Sequence, residues 1–220
     1  MFVVLEGLDA SGKSTQAEIL AKSVGAVQFK YPNRRSPLGR IIDRWLRGQV
    51  TLSRVTRGGN GQIVTATEDP DAYLALQGLL LANKVEVQES LLHALRGNHG
   101  WVVADRYTPS ARAYGTADGL DDAWLEESHR PLIEPDLYIL LDVTVDEAIR
   151  RKGGVAEHYE ANRERLERAW KKYRDMATSD RGKHQWEVVN SMKPKDEVAR
   201  NILIAIARHR KPHHNGHHEE

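Results

Sequence analysis

The chain has no cysteine in its 220 residues, which excludes disulfides and thiolate metal sites and fits a reducing compartment. It also lacks an excess of either charge. Lys and Arg number 32 against 31 Asp and Glu, for a net charge of +1. No large field therefore favours nucleic acid or an anionic membrane, and any affinity for phosphate has to be local. The first apolar run, Met1-Phe2-Val3-Val4-Leu5, is too short to span a bilayer and has no basic segment before it, so neither a signal peptide nor a membrane span is expected. Internal repeats and long linkers are also missing. These absences suit a cytoplasmic chain forming one domain, long enough to bury a real core.

What the chain does have is Gly7-Leu8-Asp9-Ala10-Ser11-Gly12-Lys13-Ser14-Thr15, a fit to G-x-x-x-x-G-K-[S/T] with a buried-strand run before it and helical periodicity after it. Backbone N–H groups of such a loop, at a helix N-terminus, form a concave anion site, and Lys13 adds a point charge. The Ser14 hydroxyl is then placed to ligate the Mg²⁺ that accompanies a nucleoside triphosphate.

Apolar runs alternate with longer amphipathic stretches, which argues an α/β fold with a mainly parallel sheet. The expected strands are Phe2–Leu5, Ala26–Lys30, Trp101–Ala104, Leu137–Val143 and Trp186–Val189. The expected helices are Lys13–Ser23, Pro37–Arg47, Pro70–Arg96, Ala123–Leu132, Val145–Arg151, His158–Met176 and Lys195–Arg210. Residues 51–69 read as a glycine-rich excursion containing a small hairpin, either a flap or a tolerated surface insertion. Residues 212–220 read as a disordered His-rich tail rather than a metal site.

In doubly wound sheets, ligands sit beyond the carboxyl ends of the strands. Asp105-Arg106-Tyr107, Tyr31-Pro32-Asn33-Arg34-Arg35 and Asp142 all follow strands. A GTP-dependent switch fits poorly. Asn83-Lys84-Val85-Glu86 resembles a guanine-reading Asn-Lys-x-Asp, but it lies in a helical-period stretch and ends in Glu. A small-molecule kinase fits better, because phosphoryl transfer between nucleotides needs dense positive charge around the transferred group. Arg34, Arg106 and Arg150-Arg151-Lys152 supply it, and Gly153-Gly154 can hinge a lid over residues 150–161.

The blocks Leu5-Glu6-Gly7-Leu8-Asp9-x-x-Gly12-Lys13-Ser14-Thr15-Gln16, Tyr31-Pro32-Asn33-Arg34, Ala82-Asn83-Lys84, Asp105-Arg106-Tyr107-x-x-Ser110-x-x-Ala113-Tyr114 and Pro135-Asp136-Leu137, with Arg151 and His158-Tyr159-Glu160, occur in one order along the chain. In these blocks the chain resembles the thymidylate kinase family over residues 1–211. The resemblance implies a P-loop NTPase fold: a five-stranded parallel sheet flanked by helices on both faces, with a lid. It also implies a homodimer that transfers the ATP γ-phosphate to dTMP with Mg²⁺.

Site roles follow from the resemblance. Gly7, Leu8, Asp9, Ala10, Ser11, Gly12, Lys13, Ser14 and Thr15 hold the ATP phosphates, with Lys13 stabilising the developing charge. Asp9 contacts the acceptor sugar, Arg34 and Arg106 grip the acceptor phosphate, and Ser110 lies beside them. Ser14 and Asp105 serve Mg²⁺, the carboxylate partly through water. Tyr114 excludes a ribose 2′-hydroxyl, Tyr159 lies over the nucleotide, and Arg151 approaches the ATP.

Three positions depart from the family pattern. Lys84 replaces an acceptor-site arginine and loses its planar fork. Leu80 replaces a stacking ring. Gly115 stands where a side chain near the base edge is common, which predicts a roomier or less polar site. Ala10 in the phosphate loop and His158 in the lid shift the γ-phosphate contact onto Arg150, Arg151 or Lys152. The alternatives are a kinase for another deoxynucleoside monophosphate, such as a 5-modified dUMP or dGMP, and a nucleotide-binding module without transfer. The apolar-faced stretch Leu74–Leu95 suits a dimer interface or an internal core helix.

Overall fold

A computed structural model describes residues 1–50, 55–57, 63–65, 70–97, 100–153, 159–179 and 184–209; of these, 55–57, 63–65, 70–71 and 159–162 are described by backbone alone. Five parallel strands form one sheet: β1 (Phe2–Glu6), β2 (Val27–Lys30), β5 (Val102–Asp105), β6 (Leu137–Asp142) and β7 (Trp186–Asn190), in the order β2-β5-β1-β6-β7. The reversal of strand order on either side of β1 opens a crevice at the carboxyl end of the central strand. β3 (Val55–Arg57) and β4 (Ile63–Thr65) pair antiparallel as a separate hairpin within the 51–69 excursion.

Strand alternation sorts the core into two faces. Val3, Leu5, Val103, Ile139 and Leu141 point to one side and pack on Ala17, Leu20 and Ala21 of α1 (Lys13–Val24) and on Val198, Ile202 and Ile206 of α9 (Lys195–His209). Phe2, Val4, Ala104, Tyr138 and Leu140 point to the other. There they meet α4 (Gln88–Arg96), α5 (Thr108–Ala117), α7 (Val145–Arg151) and α8 (Tyr159–Ser179). Two further helices, α2 (Pro37–Leu46) and α3 (Pro70–Val85), lie together near the crevice, and α6 (Asp122–His129) packs on α5.

Two expectations need correction. The single helix expected over Pro70–Arg96 is broken into α3 and α4 at Glu86 and Val87, where Val87 leaves the helical region (φ −111°, ψ 2°). The β-branched Val85 and Val87 weaken the helix there. Gln88 then caps the end of α3: its Nε2 donates to the Lys84 carbonyl at 3.0 Å, and its Oε1 accepts from the Ile133 N–H at 2.9 Å. The second correction is α5, which the sequence pattern does not reveal. Its buried positions are 109, 111, 113, 115 and 117, a spacing of two that imitates a strand. The helix is enclosed by α3, α6 and α8, so small residues, not an apolar stripe, define its faces.

Candidate active site

Between β1 and α1 the chain turns through Gly7 (φ 139°), Ala10 (φ 61°) and Gly12 (φ 92°). Gly7 is obligatory, since a Cβ there would lie 2.7 Å from the Leu141 carbonyl oxygen. The loop is tied down from beneath by the buried Glu6. Its carboxylate accepts from the backbone N–H of Tyr107 (2.7 Å), the hydroxyl of Ser110 (2.6 Å) and the hydroxyl of Tyr173 (3.0 Å). On the other side Ser191 donates its hydroxyl to the Ser11 carbonyl. Glu6 thus braces the loop, and Tyr173 and Ser191 are supports that no motif announced.

Lys13 is 5% exposed, and its ammonium folds back to the Leu8 carbonyl at 2.5 Å and to Ser11 Oγ at 3.3 Å. Burial first, then the Arg106 charge, pushes its pKa well below the usual lysine range, against the pull of Asp9, Asp105 and Glu6. An anion in the loop would reverse that balance. Next to it, Ser14 Oγ donates to Asp105 Oδ2 at 2.5 Å, and Lys30, at the end of β2, sets its ammonium 2.8 Å from Ser14 Oγ and 3.3 Å from Asp105. Hydroxyl and carboxylate thus face a cationic group already, which is the donor chemistry that suits Mg²⁺.

Arg106 leaves β5 in a left-handed turn (φ 71°) that aims its guanidinium back across the loop. It donates to Asp9, to Ser110 Oγ at 3.0 Å, and to Gly7 O and Tyr173 Oη at 3.3 Å each. Asp9 also meets Lys152 Nζ at 3.2 Å. Burial alone would raise the Asp9 carboxyl, but Arg106, Lys152 and Lys13 together hold it well below the usual carboxylate range. The backbone N–H of Asp9 donates to Tyr114 Oη at 3.2 Å, and the guanidinium carbons of Arg106 and Arg165 lie 5.3 and 5.2 Å from the Tyr114 ring centre. Arg165 itself is fixed by a bidentate pair with the buried Asp118.

The basic cluster of α7 divides. Arg151 donates to Glu147 (2.8 Å), Ser191 O (2.9 Å) and Ala10 O (3.4 Å), so it lies against the phosphate loop. Lys152 reaches Asp9, whereas Arg150 is exposed and, among the described residues, pairs with Glu147. Tyr159 begins α8, but its side chain, His158 and Gly154 lie outside the described residues, as do 210–220.

On the acceptor side, Arg34 lines the crevice while Nη1 sits 3.1 Å from Asp43. The fully buried Asn83 holds that segment: its Oδ1 accepts from the Asn33 N–H at 2.7 Å, and its Nδ2 donates to Ser36 Oγ at 2.9 Å. Asn83 is thus spent on structure and reads no guanine. Lys84, 3% exposed, donates to Leu80 O at 3.3 Å and faces His129 Nε2 at 3.4 Å. His129 Nδ1 lies 2.9 Å from Leu125 O, which can only accept; the proton therefore sits on Nδ1, and Nε2 accepts from Lys84. Burial first pushes Lys84 down to about 8. Burial, then the Lys84 charge, pushes His129 down to about 3.

Gly115 does not open the pocket as expected. A Cβ there would stand 2.7 and 2.9 Å from the methyls of Leu125, so the missing side chain is replaced by α6 packing. Asp9, Lys13, Ser14, Arg34, Leu80, Lys84, Asp105, Arg106, Ser110, Tyr114 and Arg151 do converge. They line one cavity of about 640 Å³, within the roughly 300–1,000 Å³ of small-ligand sites. The cavity also takes in Lys30, Gln77, Asp118 and Arg165, none of which the sequence singled out.

A phosphate loop beside a second basic subsite, at the switch point of a five-stranded parallel sheet, defines a P-loop kinase of small phosphorylated substrates. Residues 5–202 match the family model for thymidylate kinase. The chain belongs to the thymidylate kinase family, and hence to the ATP-dependent phosphotransferases. A thymidylate kinase of Dictyostelium discoideum is 29% identical over 208 residues, covering 92% of this chain and 82% of that protein. One of Caenorhabditis elegans is 30% identical over 219 residues, covering 92% and 88%. Among solved structures, the thymidylate kinase of Candida albicans superposes with a TM-score of 0.71 at 24% identity, covering 95% of this chain and 93% of that one; that likeness concerns the fold.

Proposed function

We infer that this chain transfers the γ-phosphate of ATP to dTMP, giving ADP and dTDP. The observation that carries the reading is the pairing of Arg106 with the phosphate loop. One guanidinium, anchored by Asp9, Gly7 O and Ser110, stands where it can hold an acceptor phosphate against a γ-phosphate cradled by residues 7–15. The acceptor oxygen is already anionic, so no strong general base is needed, and positioning with charge neutralisation does the chemistry. Lys13 leaves its backbone partner for the β- and γ-phosphates. Arg151 and Lys152, both reaching the loop, contribute charge from the lid side, and Arg34 adds charge at the acceptor.

Ser14 and Asp105 fit Mg²⁺, with Lys30 already marking the pair as cation-seeking. Held by the Ser14 hydroxyl and the Asp105 carboxylate, the ion would offset the negative charge that develops on transfer. Asp9 and Tyr114, joined by the bond from the Asp9 N–H, suit the sugar of a deoxynucleotide, whose missing 2′-hydroxyl leaves room for the ring. The same reading includes a homodimer and a cytoplasmic setting. Support for the first is the exposure of the apolar side chains of Leu74 and Val85 on α3 and Leu92 on α4. For the second, no helix among the described residues is long and apolar enough to cross a membrane.

Arg106→Ala should lower kcat/KM for dTMP by about 100-fold or more, with kcat and acceptor KM both affected and the Kd for MgATP changed little. Unchanged kinetics with dTMP would overturn the role given to Arg106.

A further inference from the structure

Gln77, on the face of α3 that lines the cavity, is 2% exposed, and its Oε1 is buried with no hydrogen-bond partner among the described residues. A buried carbonyl left unpaired is costly and calls for an explanation. Its surroundings give one. Gln77, Leu80 and Lys84 follow at i, i+3 and i+7, so they share one face of α3 and all line the same cavity. Across from them is the bare α-carbon of Gly115, where a Cβ would lie 3.4 Å from Gln77 Nε2. Position 115 packs against the Leu125 methyls, and α5 itself carries no amide side chain. Among the described residues that line the cavity, the one amide side chain is Gln77, on the opposite helix.

We propose that Gln77 is a specificity-determining residue that reads the imide edge of the acceptor's pyrimidine, its Oε1 accepting the N3–H of the base while Nε2 donates to a flanking carbonyl. This rests on the kinase reading above. Leu80, between the two polar residues, packs on the face of the ring. Lys84 has three N–H donors, two of them directed at Leu80 O and His129 Nε2, and the third is left for the second carbonyl of the imide. The Gln77 amide can turn to match either a keto or an amino edge. Lys84 can only donate, so the pair favours thymine and uracil over cytosine, whose amino group would confront the ammonium.

The test is a cycle between a protein change and a ligand change. ADP release is measured from MgATP with dTMP and with N3-methyl-dTMP, in the wild type and in Gln77→Leu, with Gln77→Met as the second variant should the first fold poorly. The wild type should prefer dTMP by about 10- to 100-fold in kcat/KM, the range of one buried hydrogen bond. In the variants the KM for dTMP should rise by a similar factor while the KM for ATP is unchanged, and the preference over N3-methyl-dTMP should shrink towards one. A purely structural Gln77 would change stability or kcat without altering that ratio. An unaltered ratio in a folded variant, or a wild type that accepts both ligands equally, overturns the proposal. A wild type that phosphorylates neither ligand overturns the kinase reading itself, and the proposal with it.

Discussion

At the scale of single residues, the candidate site is built around buried charges. Lys13 and Lys84 are both desolvated, and each leans on a backbone carbonyl. His129 shows what such packing costs. Folded, it stays neutral down to about 3, because burial and the Lys84 charge oppose protonation; unfolded, it takes a proton near 6.5. Between those values the unfolded chain binds the extra proton, so stability contributed by neutral His129 is lost as pH falls from 6.5 towards 3. One proton limits the slope to about 1.4 kcal/mol per pH unit. Lys84, lowered to about 8, acts in a separate window, where stability rises with pH from about 8 to 10.5. Urea unfolding between pH 4 and 7 should therefore show a steeper acid loss in the wild type than in His129→Gln. Equal slopes would mean that His129 is not held neutral by its surroundings.

Motif residues were legible at this scale because their chemistry is local. Gly7 to Thr15 are read from residue type and spacing, whereas the roles of Asp105 and Arg106 come from the resemblance to the family. Gln77, Lys30, Arg165 and His129 were not, because each acquires its role from a neighbour distant in the chain. Gln77 faces Gly115, Lys30 meets Ser14, Arg165 pairs with Asp118, and His129 meets Lys84. The roomier pocket expected from Gly115 failed for the same reason, since the space belongs to Leu125 on another helix.

At the scale of elements, close backbone approaches position the acceptor side. Gly39, in the first turn of α2, passes under Asn33 so tightly that a Cβ would fall 1.8 Å from the Asn33 carbonyl oxygen. Gly39→Ala must push α2 away from the segment carrying Tyr31 and Arg34. The expected cost is about 1–3 kcal/mol, with a raised KM for dTMP and little change for ATP. Gly78 makes the contrast: it lies mid-helix on the exposed side of α3 with nothing within 4 Å of a Cβ. There Gly78→Ala should stabilise by about 0.5–1 kcal/mol and leave both KM values alone. Thermal unfolding and initial rates on the two variants check both statements. If the two substitutions behave alike, the tight packing of α2 on Asn33 is not what holds Arg34 in place. Strand positions were readable from apolar runs, whereas α5 was not. A helix enclosed on several sides by α3, α6 and α8 has no reason to carry a 3.6-residue apolar stripe, and its alternating small residues imitate a strand.

At the scale of the whole molecule, one parallel sheet organises everything described above. Its two core faces hold β1 between α1 and α9 on one side and α5 and α8 on the other. This fixes the ends of β1, β2 and β5, where the phosphate loop, Tyr31–Arg34 and Asp105–Arg106 emerge. The alternation of apolar runs with amphipathic stretches makes this plan legible in the sequence. Which side chains meet across the crevice was not legible, because that depends on how α3, α5 and α6 pack. The central claim is transfer to dTMP, and the most direct measurement is ADP release from MgATP with dTMP, dUMP, 5-hydroxymethyl-dUMP, dCMP, dGMP and UMP in parallel. The account predicts turnover that depends on the acceptor and is fastest with dTMP, with dCMP and UMP poor. ADP release that is no faster with dTMP than with water alone, from protein that still binds MgATP, would contradict it.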